Sequence, residues 1–226
     1  MPRYNHALGR KVSFILSFLN STSDCLSALQ KANDLTISSD IIKSGKNFVA
    51  KCKSLHNLQL LAHRINEVIH HNDPIHYGHA CQVRQHIEKK FPFTRTTGAI
   101  DMLTYEGRQI LFNVRSPEHS DRQDPKRSWA LLAGLGYHRE GYLVLPELGL
   151  RIRLEPGDIL AIRGRIFRHY LEDWTGGQRI CIPHYTHSSI WRLAGMGHLV
   201  GLETLPTESE DEDGWEDLDD EDDEDN

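Results

Sequence analysis

The sequence predicts an α+β protein: a helical first part, a β-rich second part and a charged tail. Three observations predict it. Residues 40–69 carry apolar side chains at near-helical spacing. After residue 100 the apolar runs become short and are punctuated by Gly and Pro. The last 19 of the 226 residues hold 14 carboxylates and no basic residue. The expected divisions are a helical region over residues 1–100 packing on the core, a β core over 101–206, and a disordered acidic tail over 207–226.

Each element has a local reason. Ile41, Ile42, Phe48, Val49, Leu55, Leu58, Leu61, Ile65 and Val68 predict a helix from Asp40 to Ile69, with Ser38 or Ser39 as cap and a break near Gly45. Asn72-Asp73-Pro74 ends it, because Pro lacks a donor and restricts its neighbour. A second helix is expected over His79–Lys90, stopped by Phe91-Pro92-Phe93. The candidate strands are Gln109–Val114, Ser128–Gly134, Tyr142–Leu145, Leu150–Leu154, Ile159–Arg163, Ile166–Tyr170 and Ile180–Tyr185, with Pro156-Gly157-Asp158 as a turn. So many short strands suggest an antiparallel sandwich or barrel, with a jelly roll as the natural closed form.

Composition excludes several classes. A hydrophobic fraction of 38% excludes a wholly disordered chain. The apolar stretch Val12–Leu19 is too short to span a bilayer, and no membrane association is expected. Arg3, Arg10 and Lys11 precede it as in a signal peptide, but no small-residue cleavage site follows. Cys25, Cys52, Cys81 and Cys181 form no CxxC pair, which points to a reducing compartment, nuclear or cytoplasmic. Lys89-Lys90 is too short to be a nuclear signal.

The formal net charge of −6 conceals a split. Residues 1–207 hold 26 basic and 18 acidic side chains, a net charge of +8. A basic body suits a polyanion such as nucleic acid. Arg151, Arg153, Arg163, Arg165 and Arg168 crowd one part of the β region, and alternation places Arg151 with Arg153 and Arg163 with Arg165 on one face. The acidic tail is expected to bind a basic partner or to fold back on the body and autoinhibit it, with Trp215 and Leu218 as anchors.

His119-Ser120-Asp121 follows the first candidate strand, and an imidazole and a carboxylate two residues apart can converge. His169 lies near the end of another strand, and Arg179 heads the last one. Two histidines and one carboxylate make the facial triad of a non-haem Fe(II) oxygenase. 2-Oxoglutarate and O2 fit the open positions, and a far carboxylate suits the planar, permanently charged Arg179. The HxD pair alone is a weak signal. With 14 His and 17 Asp, about one is expected by chance, and a second stands at His71-Asn72-Asp73, with no strand before it. The order of strands around the four residues carries the information. His70, His71, His76 and His79 read as a solvated helix end and loop, and His184 and His187 as either pocket mouth or surface.

The segments His119-Ser-Asp121-Arg-Gln-Asp124, GYLVLPELGLRIRLEPGDILAIRGRIFRHYLEDW and GQRICIPHYTH together resemble the TET/J-binding-protein-like 2-oxoglutarate and Fe(II)-dependent dioxygenases, most closely the fungal Tet-like proteins. The resemblance covers about residues 100 to 190. It implies a double-stranded β-helix in which His119, Asp121 and His169 bind Fe(II) and Arg179 holds 2-oxoglutarate. It implies oxidative decarboxylation to succinate and CO2, coupled to hydroxylation of a C–H bond, with a modified nucleobase of methylated DNA or RNA as favoured substrate. Cys181 stands where many members carry a Ser or Thr contact to 2-oxoglutarate, and Gly136–Gly141 replaces a glycine-rich stretch. Asn113, at a strand end, is a further candidate for contact with substrate or cosubstrate. The alternatives are a non-enzymatic jelly-roll binding module, such as a nucleoplasmin-like histone chaperone with an acidic tail, and a degenerate dioxygenase fold that retains binding only.

Overall fold

The computed structural model describes residues 12–15, 19–21, 35–37, 45–92 and 94–202. Both the tail over 207–226 and the proposed cap at Ser38 or Ser39 fall outside them. Among the described residues three short strands come first: β1 (Val12–Ile15), β2 (Leu19–Ser21) and β3 (Leu35–Ile37). Four helices follow: α1 (Gly45–Asn57), α2 (Gln59–Asn72), α3 (Pro74–Lys90) and α4 (Thr94–Ile100). Then come β4 (Gly107–Phe112), β5 (Ala130–Gly136), β6 (Arg139–Glu140), β7 (Tyr142–Leu145), β8 (Leu150–Arg153), β9 (Ile159–Ile162), β10 (Tyr170–Leu171), β11 (Trp174–Thr175), β12 (Arg179–Tyr185) and a last helix, α5 (Ser188–Leu193).

The first hundred residues are therefore not purely helical. The Val-Ser-Phe-Ile run of β1 has strand-forming residues and pairs antiparallel with β4, Val12 opposite Phe112. Residues 40–44 of the expected Asp40–Ile69 helix, before the proposed break at Gly45, lie outside the described residues; from Gly45 on, that helix divides at Leu58. Asn72-Asp73-Pro74 does end α2, and the same residues start α3 five residues before the expected His79. Asp73 Oδ1 accepts the His76 N–H at 2.9 Å, and Pro74 occupies the first helical position, where its missing donor costs nothing. Asp73 Oδ2 also accepts Trp129 Nε1–H at 3.0 Å, which ties the helical layer to the β region.

Among the described residues all strand pairs are antiparallel. The main sheet runs β1-β4-β12-β5-β9, and a smaller one runs β10-β7-β8. Period-two alternation gives the main sheet two buried faces. Leu131, Ala133 and Ile182 pack on Ala62, Ile65 and Ile69 of α2. Ala130, Leu132 and Cys181 face the other way, against Leu143 and Leu145 of β7 and against Leu154. A third cluster joins the helices around Trp191, which is 0% exposed, with Leu55, Val83, Ile87 and Ile190. Burial of each leucine, isoleucine or valine side chain here contributes about 1.5–3 kcal/mol.

Two strands depart from expectation for visible reasons. Asn113 adopts φ 51, a left-handed conformation that asparagine tolerates, and this stops β4 at Phe112. The expected Ile166–Tyr170 strand shrinks to Tyr170–Leu171, because residues 163–167 curl into a turn in which the Ile166 and Phe167 N–H groups both donate to Arg163 O. No helix among the described residues is long and apolar enough to cross a membrane.

Two histidines are swallowed by this packing. His76 is 5% exposed and tilts against Trp191, so the expected solvated histidine cluster loses its central member to the core. His184 is 0% exposed and its Nδ1–H donates to Leu131 O at 3.1 Å. Burial, with Arg108 adding to it, pushes His184 down to about 3, and burial takes His76 to about 4, both from 6.5. Both fold neutral, so their contribution is whole above pH 6.5 and is lost as the pH falls towards those values. We expect His184→Asn, which keeps a donor for Leu131 O, to reduce the stability lost between pH 6.5 and 4.5 by about 2–3 kcal/mol in urea unfolding. An unchanged pH dependence would show that His184 does not titrate on unfolding.

Candidate active site

Two backbone hydrogen bonds build the site. His119 N–H donates to His169 O at 3.0 Å, and His169 N–H donates to His119 O at 2.9 Å. This isolated antiparallel bridge brings together residues fifty apart in sequence. A third bond, Asp121 N–H to Gly164 O at 2.9 Å, pins the carboxylate beside them. The donor atoms of His119, Asp121 and His169 lie within 4.8 Å of one another, and among the described residues this is the one cluster that meets that condition.

The imidazoles are oriented as well as gathered. Each ring places Nδ1 against the carbonyl two residues earlier: His119 on Pro117 O at 2.8 Å, His169 on Phe167 O at 3.1 Å. A carbonyl can only accept, so each Nδ1 carries a proton, and in the neutral ring the lone pair is then on Nε2. Those Nε2 atoms face Asp121, at 3.6 Å from His119 to Oδ1 and 4.0 Å from His169 to Oδ2. Gly164 is needed for this approach. A Cβ there would lie 1.9 Å from Asp121 Oδ2 and 3.3 Å from His169 Cε1.

The triad lies in a cavity of about 640 Å³. Alternation along β12 sends Arg179, Cys181, Pro183 and Tyr185 into it, while Ile182 and His184 face away from it. Gln109 and Leu111 of β4, with Ala130, Leu132, Leu143 and Leu171, complete a largely apolar wall. Arg179 is 5% exposed, and its buried Nε has no hydrogen-bond partner. Its guanidinium lies 5.9 Å from the Trp174 ring centroid. Gly141, at φ +76, keeps a close approach open, since a Cβ there would lie 3.0 Å from Trp174 Cβ and 3.7 Å from Arg179 Cδ. Burial lowers the Arg179 pKa from its usual value, opposed by Cys181, whose own thiol burial pushes up.

The other sequence candidates are placed differently. Asn113 is absent from the cavity lining, and its Oδ1 accepts the Arg179 backbone N–H at 2.9 Å. Cys181 is buried and lines the cavity. His184 and His187 part company: His184 enters the core, while His187 reaches the cavity and bonds Asp124 Oδ1 through Nδ1 at 3.0 Å. This Asp124–His187 pair had no assigned role in the sequence. Its signal was a second Asp three residues after Asp121, and Asp124 N–H indeed donates to Asp121 O at 3.0 Å. Burial raises the Asp124 pKa, with His187 acting against it.

The crowded arginines are mostly neutralised. Arg151 makes a bidentate pair with Glu172, at 2.9 and 2.6 Å, and Arg153 pairs with Glu155. Arg168 pairs with Glu118 and Glu147. Arg163 lies over the Trp129 ring at 4.5 Å, and Arg165 donates to Arg122 O.

No protein-family model matches the chain. Tet-like dioxygenase 1 of Naegleria gruberi is 31% identical over 74 residues, which is 33% of this chain and 23% of that protein. A solved structure of NgTET1 in complex with 5mC DNA superposes with a TM-score of 0.54 at 14% identity, covering 78% of this chain and 61% of that one. The chain resembles the Tet-like dioxygenases. Mixed helices and antiparallel sheets agree with that fold. The matched stretch is less than a quarter of the curated Tet-like relative's length. A cupin barrel domain protein from Salinispora arenicola aligns with a TM-score of 0.30 at 13% identity over 39% of this chain and 70% of that one, too slight to support an argument.

Gly164→Ala isolates the ligand geometry from the fold. Its Cβ should displace the Asp121 carboxylate, the one mobile group in its way. If the three donors hold a metal ion, Co(II) or Mn(II) affinity should fall roughly 10–100-fold, with the circular dichroism spectrum unchanged. Unaltered metal affinity would remove Asp121 from the ligand set.

Proposed function

We propose that the chain is an Fe(II)- and 2-oxoglutarate-dependent dioxygenase that hydroxylates a C–H bond on a modified nucleobase, within a double-stranded β-helix formed by the two larger sheets. The observation that carries the proposal is the pairing, in one cavity, of tautomer-set histidines beside Asp121 with the buried, partnerless Arg179 Nε. Two neutral imidazoles and one carboxylate suit Fe(II) and leave positions open. A buried guanidinium with an unmet donor suits the far carboxylate of a dicarboxylate cosubstrate.

Fe(II) held there would supply, with O2 and 2-oxoglutarate, oxidative decarboxylation coupled to C–H hydroxylation. The chain's own residues do the rest. Pro117 O and Phe167 O hold both Nδ1 protons, so Nε2 is the nitrogen of each ring turned towards Asp121. Asn113 fixes the head of β12 through the Arg179 N–H and so sets where the guanidinium starts. Leu111, Leu132, Leu143 and Leu171 keep water away from the reacting region. Asp124 and His187 form a polar wall able to meet the edge of a base. An extruded nucleobase can enter a cavity of this size, as base-modifying enzymes require. The 5mC DNA complex of NgTET1 supports the substrate class. A purely binding module would need neither the oriented imidazoles nor the buried arginine.

The test is anaerobic loading with Fe(II) and 2-oxoglutarate, then exposure to O2 and detection of succinate, with methylated DNA, RNA and nucleosides as candidate substrates. Succinate should form and should fall by about 100-fold or more in His169→Ala and Asp121→Ala, at least what loss of an outer-shell partner can cost. Arg179→Gln should raise the 2-oxoglutarate requirement at least about tenfold with metal binding retained. Failure of the metal-loaded protein to bind 2-oxoglutarate would overturn the enzyme reading.

A further inference from the structure

We propose that the acidic segment over residues 203–226 docks in a basic trough beside the cavity and there competes with a polyanionic substrate. The trough, about 430 Å³, shares Arg122, Gln123, Asp124 and His187 with the cavity that holds the triad. Its basic side chains are Arg122, Lys126, Arg165 and Arg192. Among the described residues none of the four forms an ion pair, whereas Arg115, Arg151, Arg153 and Arg168 all do. The trough's own carboxylate, Asp124, is engaged by His187 at 3.0 Å. Arg165 Nη1–H donates to Arg122 O at 2.7 Å, which holds two of the cationic segments side by side. The result is a concave surface with four cationic side chains against the one carboxylate of Asp124, which also attracts Arg165, and it opens onto the candidate active site.

Its occupant follows from where the chain leaves the structure. Gly201 and Leu202 line the trough. The residues beyond them, 203–226, hold 15 carboxylates and no basic side chain. Glu208, where the dense acidic run begins, is six residues past Leu202, within about 20 Å of extended chain. A short tether of this kind gives an effective concentration on the order of millimolar. Single exposed ion pairs contribute little, but many carboxylates tethered at one cationic trough contribute together, and salt weakens all of them. Docking itself is independent of the proposed enzymology. The competition rests on the nucleic-acid reading, since phosphates flanking an extruded base would need the same surface.

Docking is read first without nucleic acid, by zero-length carbodiimide crosslinking of the full chain at low salt and peptide mapping. Amide bonds should form within one chain between Lys126 and carboxylates of 208–226, in preference to the exposed Lys89 and Lys90 at the end of α3, and should vanish near 0.5 M salt. Crosslinks spread evenly over Lys89, Lys90 and Lys126, or found only between two copies, overturn docking whatever the enzyme does. Next, the full chain is compared with a variant whose 208–226 carboxylates are replaced by amides, using a labelled DNA duplex. The variant should bind about tenfold or more tightly at low salt, and Arg122→Gln, Lys126→Gln and Arg192→Gln together should abolish the difference. Lys126 crosslinks with no DNA bound by either form uphold docking and overturn competition with duplex DNA. Lys126 crosslinks with DNA bound equally by both forms uphold docking and overturn the competition.

Discussion

The reciprocal backbone bridge between His119 and His169 is the constraint on which the candidate site depends. It is short, yet it fixes three things at once. It sets the distance between the two imidazoles, whose ring centroids lie 4.3 Å apart. It closes the segment after β4 onto the approach to β10. It also places Gly164 O where the Asp121 N–H can reach it, so that carboxylate and imidazoles share one small volume. Extended ladders on both sides are unnecessary, because neighbouring residues find other partners: Leu171 N–H donates to Ser116 O and Asp124 N–H to Asp121 O.

The second determinant is the double burial of the main sheet. A strand covered on both faces must sort its side chains strictly, and β12 does so. Arg179, Cys181, Pro183 and Tyr185 turn to the cavity, while Ile182 packs on α2 and His184 is sealed in the interior. The helical layer thus bears indirectly on the candidate site. By covering the back of β12 it forces a charged arginine to the front, where burial leaves one of its donors unmet. An unmet buried donor costs about 1–3 kcal/mol, which a carboxylate guest would recover.

Charge is distributed by the same geometry. The arginines of β8 and of the turn before β10 are held by Glu172, Glu155, Glu118 and Glu147, so their density in sequence does not become a positive field. The cations that form no ion pair among the described residues come instead from separate segments, with Arg122 and Lys126 just after Asp121, Arg165 in the turn and Arg192 in α5. The −6 total describes neither this trough nor the acidic segment that leaves its rim.

Much of the β region was legible because local chemistry decides it. Tyr142–Leu145 appears with the expected limits, and the Pro156-Gly157 turn separates β8 from β9. The HxD segment, His169 and Arg179 could be named because their order along the strands is a property of the chain. What the sequence could not decide was which way each group faces. Asn113 serves the backbone of β12, His76 and His184 belong to the interior, and His187 reaches the cavity, although composition treats all three histidines alike. Strand β1 escaped notice because pairing with β4 is a long-range event that a four-residue run does not announce. By itself the sequence determined which residues could do chemistry, since side-chain type and period are local. Only the tertiary structure decided which of them meet, because a two-residue bridge between distant segments, and the burial that sets each tautomer and each unmet donor, exist only once the sheets have closed.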